Sequence, residues 1–371
     1  MKIEPFEMER MQSTWEFEVD FNLSESGVHP LSFRELIPVE KIESLLDTEL
    51  GYIQTNGPTE LREAVSRLYP GSTGENILVT TGSAEANFLI IWSHVEPGDE
   101  VLFMLPNYMQ MWGLLRSFGA QVVPYYLRED LDWAPDLDEL KKAVSKKTKI
   151  IVVTNPNNPT GAVLNAEVRE AIISLAEWSE AWIVVDEVYQ GAELEGAVTS
   201  SFWGTTKKVV VTNGLSKAYG LPGLRMGWMA APEDFIQETW PYHDYTTICL
   251  SAVSHHLARI ALQPENRERI LQRTRAIVQR NLPLLEGWLE QQEGLFRLIP
   301  PRAGAIAFPR QHLGLSSAQF VDRLRQEKSV LLVPGEHFGL ENYVRIGYGA
   351  EKEYLLQALG LITDLLEEIR R

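Results

Sequence analysis

Lys217 and Arg225 lie eight positions apart in the glycine-rich segment NGLSKAYGLPGLRMGW (residues 213–228), which directly follows the apolar run KVVVT. Lys217 has no acidic neighbour in the sequence, and its apolar and glycine surroundings predict that it is desolvated. Desolvation lowers the pKa of a lysine and makes its amine nucleophilic toward carbonyl groups. Arg225 offers a guanidinium that can form a bidentate pair with phosphate. The alternative is an ordinary exposed loop lysine, and the polar residues at the other strand ends bear on that choice.

Polar side chains also follow three other predicted strands. Ser83 and Ala84 come after ILVTT at a predicted helix start, where backbone N–H groups and the helix dipole favour an anion. Tyr108 follows VLFML and offers a ring that can stack on a planar ligand. Asn158 lies in the stiff polar turn NPNNPTG (155–161), which follows IIVVT. Each has an ordinary alternative: a capped helix, a packed tyrosine or a plain loop.

A fourth strand end carries Asp186, the last residue of the apolar run WIVVD, and Tyr189 three positions later. A buried carboxylate is costly unless a cation or a hydrogen-bond donor meets it, and a structural salt bridge is the alternative to a functional role. An anion site, an aromatic ring, an amide, a carboxylate with a phenol, and a lysine with an arginine therefore all fall at strand ends. One ligand accounts for the whole set: a flat, phosphorylated pyridine that carries an aldehyde.

The elements that position these residues alternate between strand and helix from about residue 58 onward. Regular alternation predicts a mostly parallel sheet with helices on both faces, and ligands of such sheets bind at the carboxyl ends of the strands. After about residue 270 the pattern changes to long polar helices and short strands, which predicts a second, α+β lobe. The predicted division is a large domain over 38–270 and a small domain formed by 1–37 and 271–371, with the first ~35 residues packed against the second lobe.

The motifs NPNNPTG, DEVY, NGLSKAYGLPGLRMGW and RIGYG occur in an order and spacing that resemble the class I/II aminotransferases of the pyridoxal-phosphate fold-type-I superfamily. The resemblance covers nearly the whole chain, from NLSESGVHPLSF to YVRIGYG. It implies an α/β fold in which helices sandwich the mostly parallel sheet of a large domain beside a smaller α+β domain. It also implies the cofactor pyridoxal 5′-phosphate.

The resemblance assigns catalytic roles by position. Lys217 would form the imine with the cofactor aldehyde and later carry the proton between Cα and C4′. Asp186 would pair with the protonated pyridine nitrogen, and Tyr108 would stack on the ring. Tyr189 and Asn158 would hydrogen-bond the 3-oxygen of the ring.

Further binding roles follow from the same resemblance. The residues that would hold the cofactor phosphate are Ser83, Ala84 and Arg225. Tyr52 matches a tyrosine that reaches the phosphate of the neighbouring subunit, which implies a homodimer with shared active sites. Arg345, in YVRIGYG, matches the arginine that grips the substrate α-carboxylate. Gly27 lies in the N-terminal segment that closes over the substrate.

Two features depart from the common family pattern. Gly214 stands where many relatives carry a phosphate-binding serine, and Ser216 is a candidate to compensate. The segment SESGVHP is similar to one in capreomycidine-synthase-like enzymes, which perform β-replacement and cyclisation on arginine derivatives. The leading hypothesis is an aminotransferase that moves an amino group between an L-amino acid and a 2-oxo acid. The alternatives are a pyridoxal-phosphate-dependent lyase or a replacement and cyclisation enzyme, and a non-catalytic binding protein, against which the intact residue set argues.

Composition limits the possible partners. The 371-residue chain carries a formal net charge of −17, which disfavours nucleic acid and anionic membrane surfaces. No apolar run approaches 18 residues, and Cys249 is the only cysteine. His255 and His256 point about 100° apart on a helix with no acidic or cysteine cluster beside them, so no metal site is predicted. These features favour a cytoplasmic protein that acts on small molecules.

Overall fold

The computed structural model describes residues 3–370, apart from the side chains of residues 40 and 44. Within these residues the strands are β1 Phe21–Asn22, β2 Ile77–Thr80, β3 Glu100–Leu105, β4 Gln121–Arg128, β5 Ala134–Pro135, β6 Thr148–Thr154, β7 Trp182–Asp186, β8 Val209–Gly214, β9 Gly227–Ala230, β10 Phe296–Arg297, β11 Ile306–Ala307, β12 Arg310–Gln311, β13 Val330–Leu331, β14 Val333–Pro334 and β15 Val344–Gly347. The helices are α1 Glu7–Trp15, α2 Phe33–Leu36, α3 Ile42–Leu46, α4 Thr59–Ser66, α5 Ser83–His94, α6 Gln110–Ser117, α7 Leu137–Ala143, α8 Ala166–Ser179, α9 Glu233–His243, α10 Ala252–Ala261, α11 Pro264–Glu290, α12 Ser317–Lys328 and α13 Lys352–Arg370. Short 3-10 turns occur at Val39–Lys41, Gly74–Asn76, Glu129–Leu131, Pro222–Leu224 and Gly335–Phe338.

The largest sheet has eight strands in the order β2-β9-β8-β7-β6-β3-β4-β5. Strands β4, β3, β6, β7 and β8 run parallel to one another. Their central members are almost entirely buried, as expected for continuous apolar runs covered by helices on both faces. This confirms the predicted parallel sheet. Strand β9, which the sequence interpretation missed, runs antiparallel between β2 and β8.

Helix α8 shows how local sequence sets these elements. The Asn165 side chain caps it by accepting a hydrogen bond from the Val168 N–H at 2.9 Å, an interaction that stabilises a helix by about 1 kcal/mol. Val168, Ile172 and Ala176 form a buried stripe at helical spacing, and the helix packs on β6 and β7. Placing α8 there fixes the end of β6, which the turn at 155–161 follows.

A second apolar core lies around the small strands of the C-terminal part of the chain. Helices α11, α12 and α13 pack there with β13 and the three-stranded sheet β11-β15-β14. Leu23 and Val28 belong to this core and β1 pairs in parallel with β13, whereas Met8 and Leu36 belong to the core around the large sheet. Helix α11 runs across residue 270, and the division of the chain at 38 and 270 stays a prediction; residues 1–2 and 371 of it lie outside the described part.

Candidate active site

A cavity of about 340 Å³ opens at the carboxyl ends of β6, β7 and β8. Cavities of roughly 300–1,000 Å³ are typical of small-molecule sites, and this edge of a parallel sheet is where such ligands bind. The strands bring Thr154, Asp186 and Thr212 side by side in register. The predicted residues that line the cavity are Ser83, Ala84, Tyr108, Asn158, Asp186, Tyr189, Lys217 and Arg225.

Asp186 is 7% exposed at the end of β7. Burial raises its pKa to about 6, against the opposing effect of the Val188 N–H, which donates to Oδ1 at 3.1 Å, and of the Asn87 side chain. A buried carboxylate with only neutral donors is under-compensated. The position is therefore suited to a cationic group on a ligand.

Lys217 contacts an acidic partner that is 192 positions away in the sequence. Its Nζ lies 2.9 Å from Oε1 of Glu25. Burial is the largest single influence and lowers the pKa of Lys217, but the Glu25 carboxylate and Tyr189 together raise it, and the net result lies above the ordinary value. The prediction of a lowered lysine pKa is therefore wrong for this state, because it considered only neighbours in the sequence. The same contact lowers the pKa of Glu25 to about 2.

Tyr189 and Asn158 are both buried, and both line the cavity. The Tyr189 hydroxyl is buried; the Ser26 side chain comes near it, but no hydrogen bond of ordinary geometry satisfies it within residues 3–370. The Asn158 Oδ1 accepts a hydrogen bond from Arg345 Nη1 at 3.0 Å. Arg345 is 1% exposed and also donates to the Ser24 carbonyl, while its Nε has no partner among the described residues. Arg345 thus lies next to Asn158, and its Nε–H is available to donate to a ligand.

The other end of the cavity is an anion cradle. Helix α5 begins at Ser83, directly after Gly82, whose φ of 84° suits glycine. A Cβ on Gly82 would lie 2.7 Å from Nη2 of Arg225, and one on Gly227 would lie 2.3 Å from the Ser83 nitrogen. Both glycines therefore allow Arg225 and β9 to approach the helix N-terminus, where a phosphate group is favoured.

The close approach of β9 explains why residue 214 is a glycine. A Cβ there would lie 2.9 Å from the Met226 carbonyl oxygen and 3.2 Å from the Gly227 Cα, so β9 leaves no room for a side chain. Ser216, two residues on, lines the cavity and remains the candidate for the missing serine contact.

Gly27 and Tyr52 are placed differently from the other predicted residues. A Cβ on Gly27 would be 3.8 Å from the Lys217 Cα, so the N-terminal segment passes directly beside the lysine. Tyr52 is 89% exposed and does not line the cavity. Its predicted contact with a neighbouring subunit stays a prediction.

The N-terminal segment supplies the residues that sequence reasoning missed. Helix α1 and the residues after it bring Met8, Glu9, Gln12, Glu16, Glu25 and Ser26 to the cavity. Tyr108 donates its hydroxyl to Glu9 Oε1 at 2.8 Å, and Gln12 Nε2 donates to the Ser24 carbonyl at 3.0 Å. The helical spacing of residues 8, 9, 12 and 16 was the available signal, but no sequence pattern indicated that this helix lies over the strand ends.

Metal sites and membrane-spanning helices are both absent from the part of the chain that the structure describes. No group of three or more His, Cys, Asp or Glu side chains there is arranged to hold a metal ion. No helix there is long and apolar enough to cross a membrane.

Comparison with known proteins gives a family and several relatives. The family model Aminotransferase class I and II matches residues 26–362. Capreomycidine synthase of Streptomyces vinaceus is 33% identical over 357 residues, covering 94% of this chain and 90% of that protein. An aspartate aminotransferase of Pyrococcus horikoshii is 30% identical over 325 residues, covering 85% and 83%.

Solved structures agree with these relatives. A PLP-dependent aminotransferase from Streptococcus suis is 33% identical, with a TM-score of 0.93 and coverage of 100% of this chain and 99% of that one. The PLP-dependent cyclase OrfR is 28% identical, with a TM-score of 0.90 and coverage of 99% and 98%. The same fold thus serves both a transaminase and a cyclase among the similar structures.

Proposed function

The chain belongs to the class I and II aminotransferase family, and from that premise we propose that it is a pyridoxal-phosphate-dependent aminotransferase that moves an amino group from an L-amino acid to a 2-oxo acid. The cofactor of the family and of the similar structures is pyridoxal 5′-phosphate. The observation that carries the proposal is one cavity lined by the Lys217 amine, the buried Tyr189 hydroxyl, which makes no regular hydrogen bond to residues 3–370, and the under-compensated Asp186 carboxylate.

The residues present fit this cofactor. The Ser83 and Ala84 N–H groups at the start of α5, with Arg225 beside them, suit the phosphate. Asp186 suits a protonated ring nitrogen, and the Tyr189 hydroxyl and Asn158 amide suit the ring 3-oxygen. Bound there, pyridoxal phosphate would supply an aldehyde that condenses with amines and a ring that accepts the electron pair left at Cα.

The protein's own groups would then bind, orient and move a proton. Arg345 would bind the substrate α-carboxylate, using the Nε that lacks a partner among the described residues. Fixing that carboxylate orients the Cα–H bond toward the Lys217 amine, which would take the proton as general base and return it as general acid. The segment through Gly27 would cover the lysine and exclude water from it.

A spectral titration tests the reaction type. Amino acids are added singly to the cofactor-loaded protein, without an acceptor oxo acid, while cofactor absorbance and ammonia are followed. Transamination predicts a stoichiometric change to the amine form of the cofactor without ammonia, and its reversal by a 2-oxo acid. Ammonia release, or a product formed with the cofactor unchanged, would contradict it.

A second candidate has its own support. The match to capreomycidine synthase and the similarity to the cyclase OrfR favour a lyase or a replacement and cyclisation enzyme built on the same residues. Such an enzyme expels a leaving group from the substrate side chain and needs no acceptor oxo acid. Mass analysis of the product and an ammonia assay in the same titration separate the two candidates. Replacement or cyclisation keeps the α-amino nitrogen in the product, elimination releases it as ammonia, and transamination would leave it on the cofactor.

We also propose a cytoplasmic homodimer, in which Tyr52 reaches the phosphate site of the neighbouring subunit. Apolar side chains in the segment that precedes Tyr52 in the sequence are exposed: Phe33 is 64%, Val39 76%, Leu46 73% and Leu50 82% exposed. Phe33, Val39 and Leu46 line one shallow cavity, and exposed apolar surface of this kind is typical of an interface. Light scattering should give twice the mass of one chain, and Tyr52→Phe should release cofactor faster than Tyr245→Phe, a change at another exposed tyrosine. A monomer that retains cofactor and full activity would contradict the proposal.

A further inference from the structure

We propose that Asn107 is a positioning residue for Asp186 and acts through one water molecule, held in a small cavity beside the carboxylate. This role rests on the proposed function, in which Asp186 pairs with the ring nitrogen of the cofactor. It adds the residue that keeps this carboxylate ionised and in place. Two features carry it: a second cavity that adjoins the active site, and a buried amide group that points away from its own hydrogen-bond partners.

The second cavity shares Tyr108, Thr154 and Asp186 with the active-site cavity. The other residues that line it are Asn87, Phe103, Asn107, Met111 and Val152. Its volume is about 10 Å³, which is close to the smallest volume that holds one water molecule. A buried water also needs roughly two to four polar partners, and the asparagine, threonine and aspartate side chains of this lining supply them.

The amide of Asn107 has a fixed orientation at the end of β3. Asn107 is 1% exposed, and its Oδ1 accepts hydrogen bonds from the Tyr108 N–H at 2.7 Å and from the Thr154 hydroxyl at 2.8 Å. A backbone N–H can only donate, so the atom that faces it must be the amide oxygen. Nδ2 is therefore the other end of the amide, and it has no hydrogen-bond partner within residues 3–370. A buried NH₂ group of this kind is costly unless a water accepts from it.

Asp186 has few donors for a buried carboxylate. Its Oδ1 accepts from the Val188 N–H at 3.1 Å, and the Asn87 side chain also favours the ionised form. Neither donor is charged, and burial raises the pKa of Asp186 to about 6. A water that accepts from Asn107 Nδ2 keeps both of its hydrogens and can donate one of them to the Asp186 carboxylate. Such a donor favours the charged form of the carboxylate.

This bridge would act on the cofactor without touching it. An ionised Asp186 would keep the ring nitrogen protonated, and a protonated ring accepts electrons more readily. A donor beside the carboxylate stabilises its charge and restrains its rotation, so Asn107 positions Asp186 and takes no part in the proton transfer. The next residue is Tyr108, the ring-stacking candidate. The end of β3 would therefore support the cofactor ring through two adjacent side chains.

A crystal structure of the cofactor-loaded protein tests the bridge directly, at a resolution that shows ordered waters. We expect one water within about 2.7–3.2 Å of both Asn107 Nδ2 and a carboxylate oxygen of Asp186. No water at that place, or a direct hydrogen bond between the Asn107 amide and Asp186, would overturn the bridge. The result does not depend on whether the protein converts amino acids, so it is separable from the proposed function.

Substitution of Asn107 tests the effect on Asp186 in the cofactor-free protein. Asn107→Leu removes the amide at a similar side-chain volume, and loss of a donor should raise the pKa of Asp186 further above its ordinary value. The folded protein then keeps the Asp186 proton to higher pH. The fall in stability with rising pH should therefore extend upward by about one pH unit, measured by denaturant titration between about pH 5 and 8. The nearby titratable groups, Glu187, Lys217 and Tyr108, are the same in every variant.

Asn155 provides the matched control. It is 1% exposed, its Oδ1 accepts from the Leu164 N–H at 2.9 Å, and its Nδ2 also lacks a partner among the described residues. It lines neither cavity. Asn155→Leu should lower stability but leave its dependence on pH unchanged. Equal pH profiles for Asn107→Leu and Asn155→Leu would overturn the role of Asn107.

Kinetics of the cofactor-loaded enzyme separate positioning from a structural defect. Asn107→Leu should lower kcat at least about tenfold and change KM less than about twofold, because Asn107 acts on charge at the ring and does not contact substrate. Asn107→Ser leaves a hydroxyl and room for a second water, so it should recover part of kcat, and it replaces Asn107→Leu if that variant does not fold. Equal losses in kcat for both variants, or a tenfold rise in KM, would overturn the role. Conversion of no amine by the unsubstituted protein would instead contradict the proposed function.

Discussion

The sheet half of the cavity, formed by the residues after β6, β7 and β8, differs from the N-terminal half, formed by α1 and residues 21–27. The sheet half is formed by buried parallel strands, and the side chains at the ends of these strands are placed to bind the cofactor, which the members of the family share. The N-terminal half is a short helix and an extended segment laid over that frame, and it carries the acidic side chains. One scaffold can therefore keep its cofactor chemistry while the covering segment changes the substrate.

The largest effect is expected in the sheet half, at Lys217. Lys217→Ala removes the amine that moves the proton, and activity should fall by at least about 10³-fold, measured as single-turnover cofactor conversion. Lys208→Ala is the control, because Lys208 lies on the surface and donates to the Glu180 carbonyl. Near-normal activity of Lys217→Ala would place the chemistry on another residue.

Arg345 links the two halves, since it donates to both Asn158 and the Ser24 carbonyl. Arg345→Ala should lower kcat/KM for α-amino acids by roughly 10²-fold, because a buried, charge-assisted carboxylate contact is lost. The primary amine that corresponds to the donor without its carboxylate provides the control and should be affected much less. An equal loss with both amines would show a structural defect and remove the assignment.

The buried carboxylate of Asp186 should make the cofactor-free sheet half less stable at neutral pH. Its pKa is raised to about 6 in the folded chain, so the folded state holds more protons than the unfolded state between about pH 4 and 6, and stability falls as pH rises through that window. Asp186→Asn should therefore raise the free energy of unfolding by about 1–3 kcal/mol at pH 7.5 and by less at pH 5, measured by denaturant titration.

Glu187 provides the matched control for that measurement. It is buried beside Asp186, its pKa is raised to about 7, and it does not line the cavity. Glu187→Gln should also stabilise the cofactor-free protein at pH 7.5, but only Asp186→Asn should weaken cofactor retention. A destabilised Asp186→Asn protein that keeps its cofactor would contradict the role given to Asp186.

The same contrast explains what the sequence could predict. Asp186 and Lys217 were found because continuous apolar runs mark buried strands, and ligands bind at the ends of such strands. The Glu25–Lys217 contact was missed because no local pattern indicates a partner 192 positions away. Strand β9 was missed because it begins inside the glycine-rich segment 213–228, whose composition is typical of a loop, and continues for only two residues beyond it. Local periodicity predicts elements, whereas the covering of one segment by another depends on tertiary packing.

We propose that Lys217 is the residue that binds the cofactor covalently in this cavity. The most direct test is borohydride reduction of the cofactor-loaded protein, followed by proteolysis and mass analysis of the peptides. We expect one pyridoxyl group, attached to Lys217, and none in the Lys217→Ala variant. A label on another lysine, or no label on a protein that still converts amino acids, would contradict it.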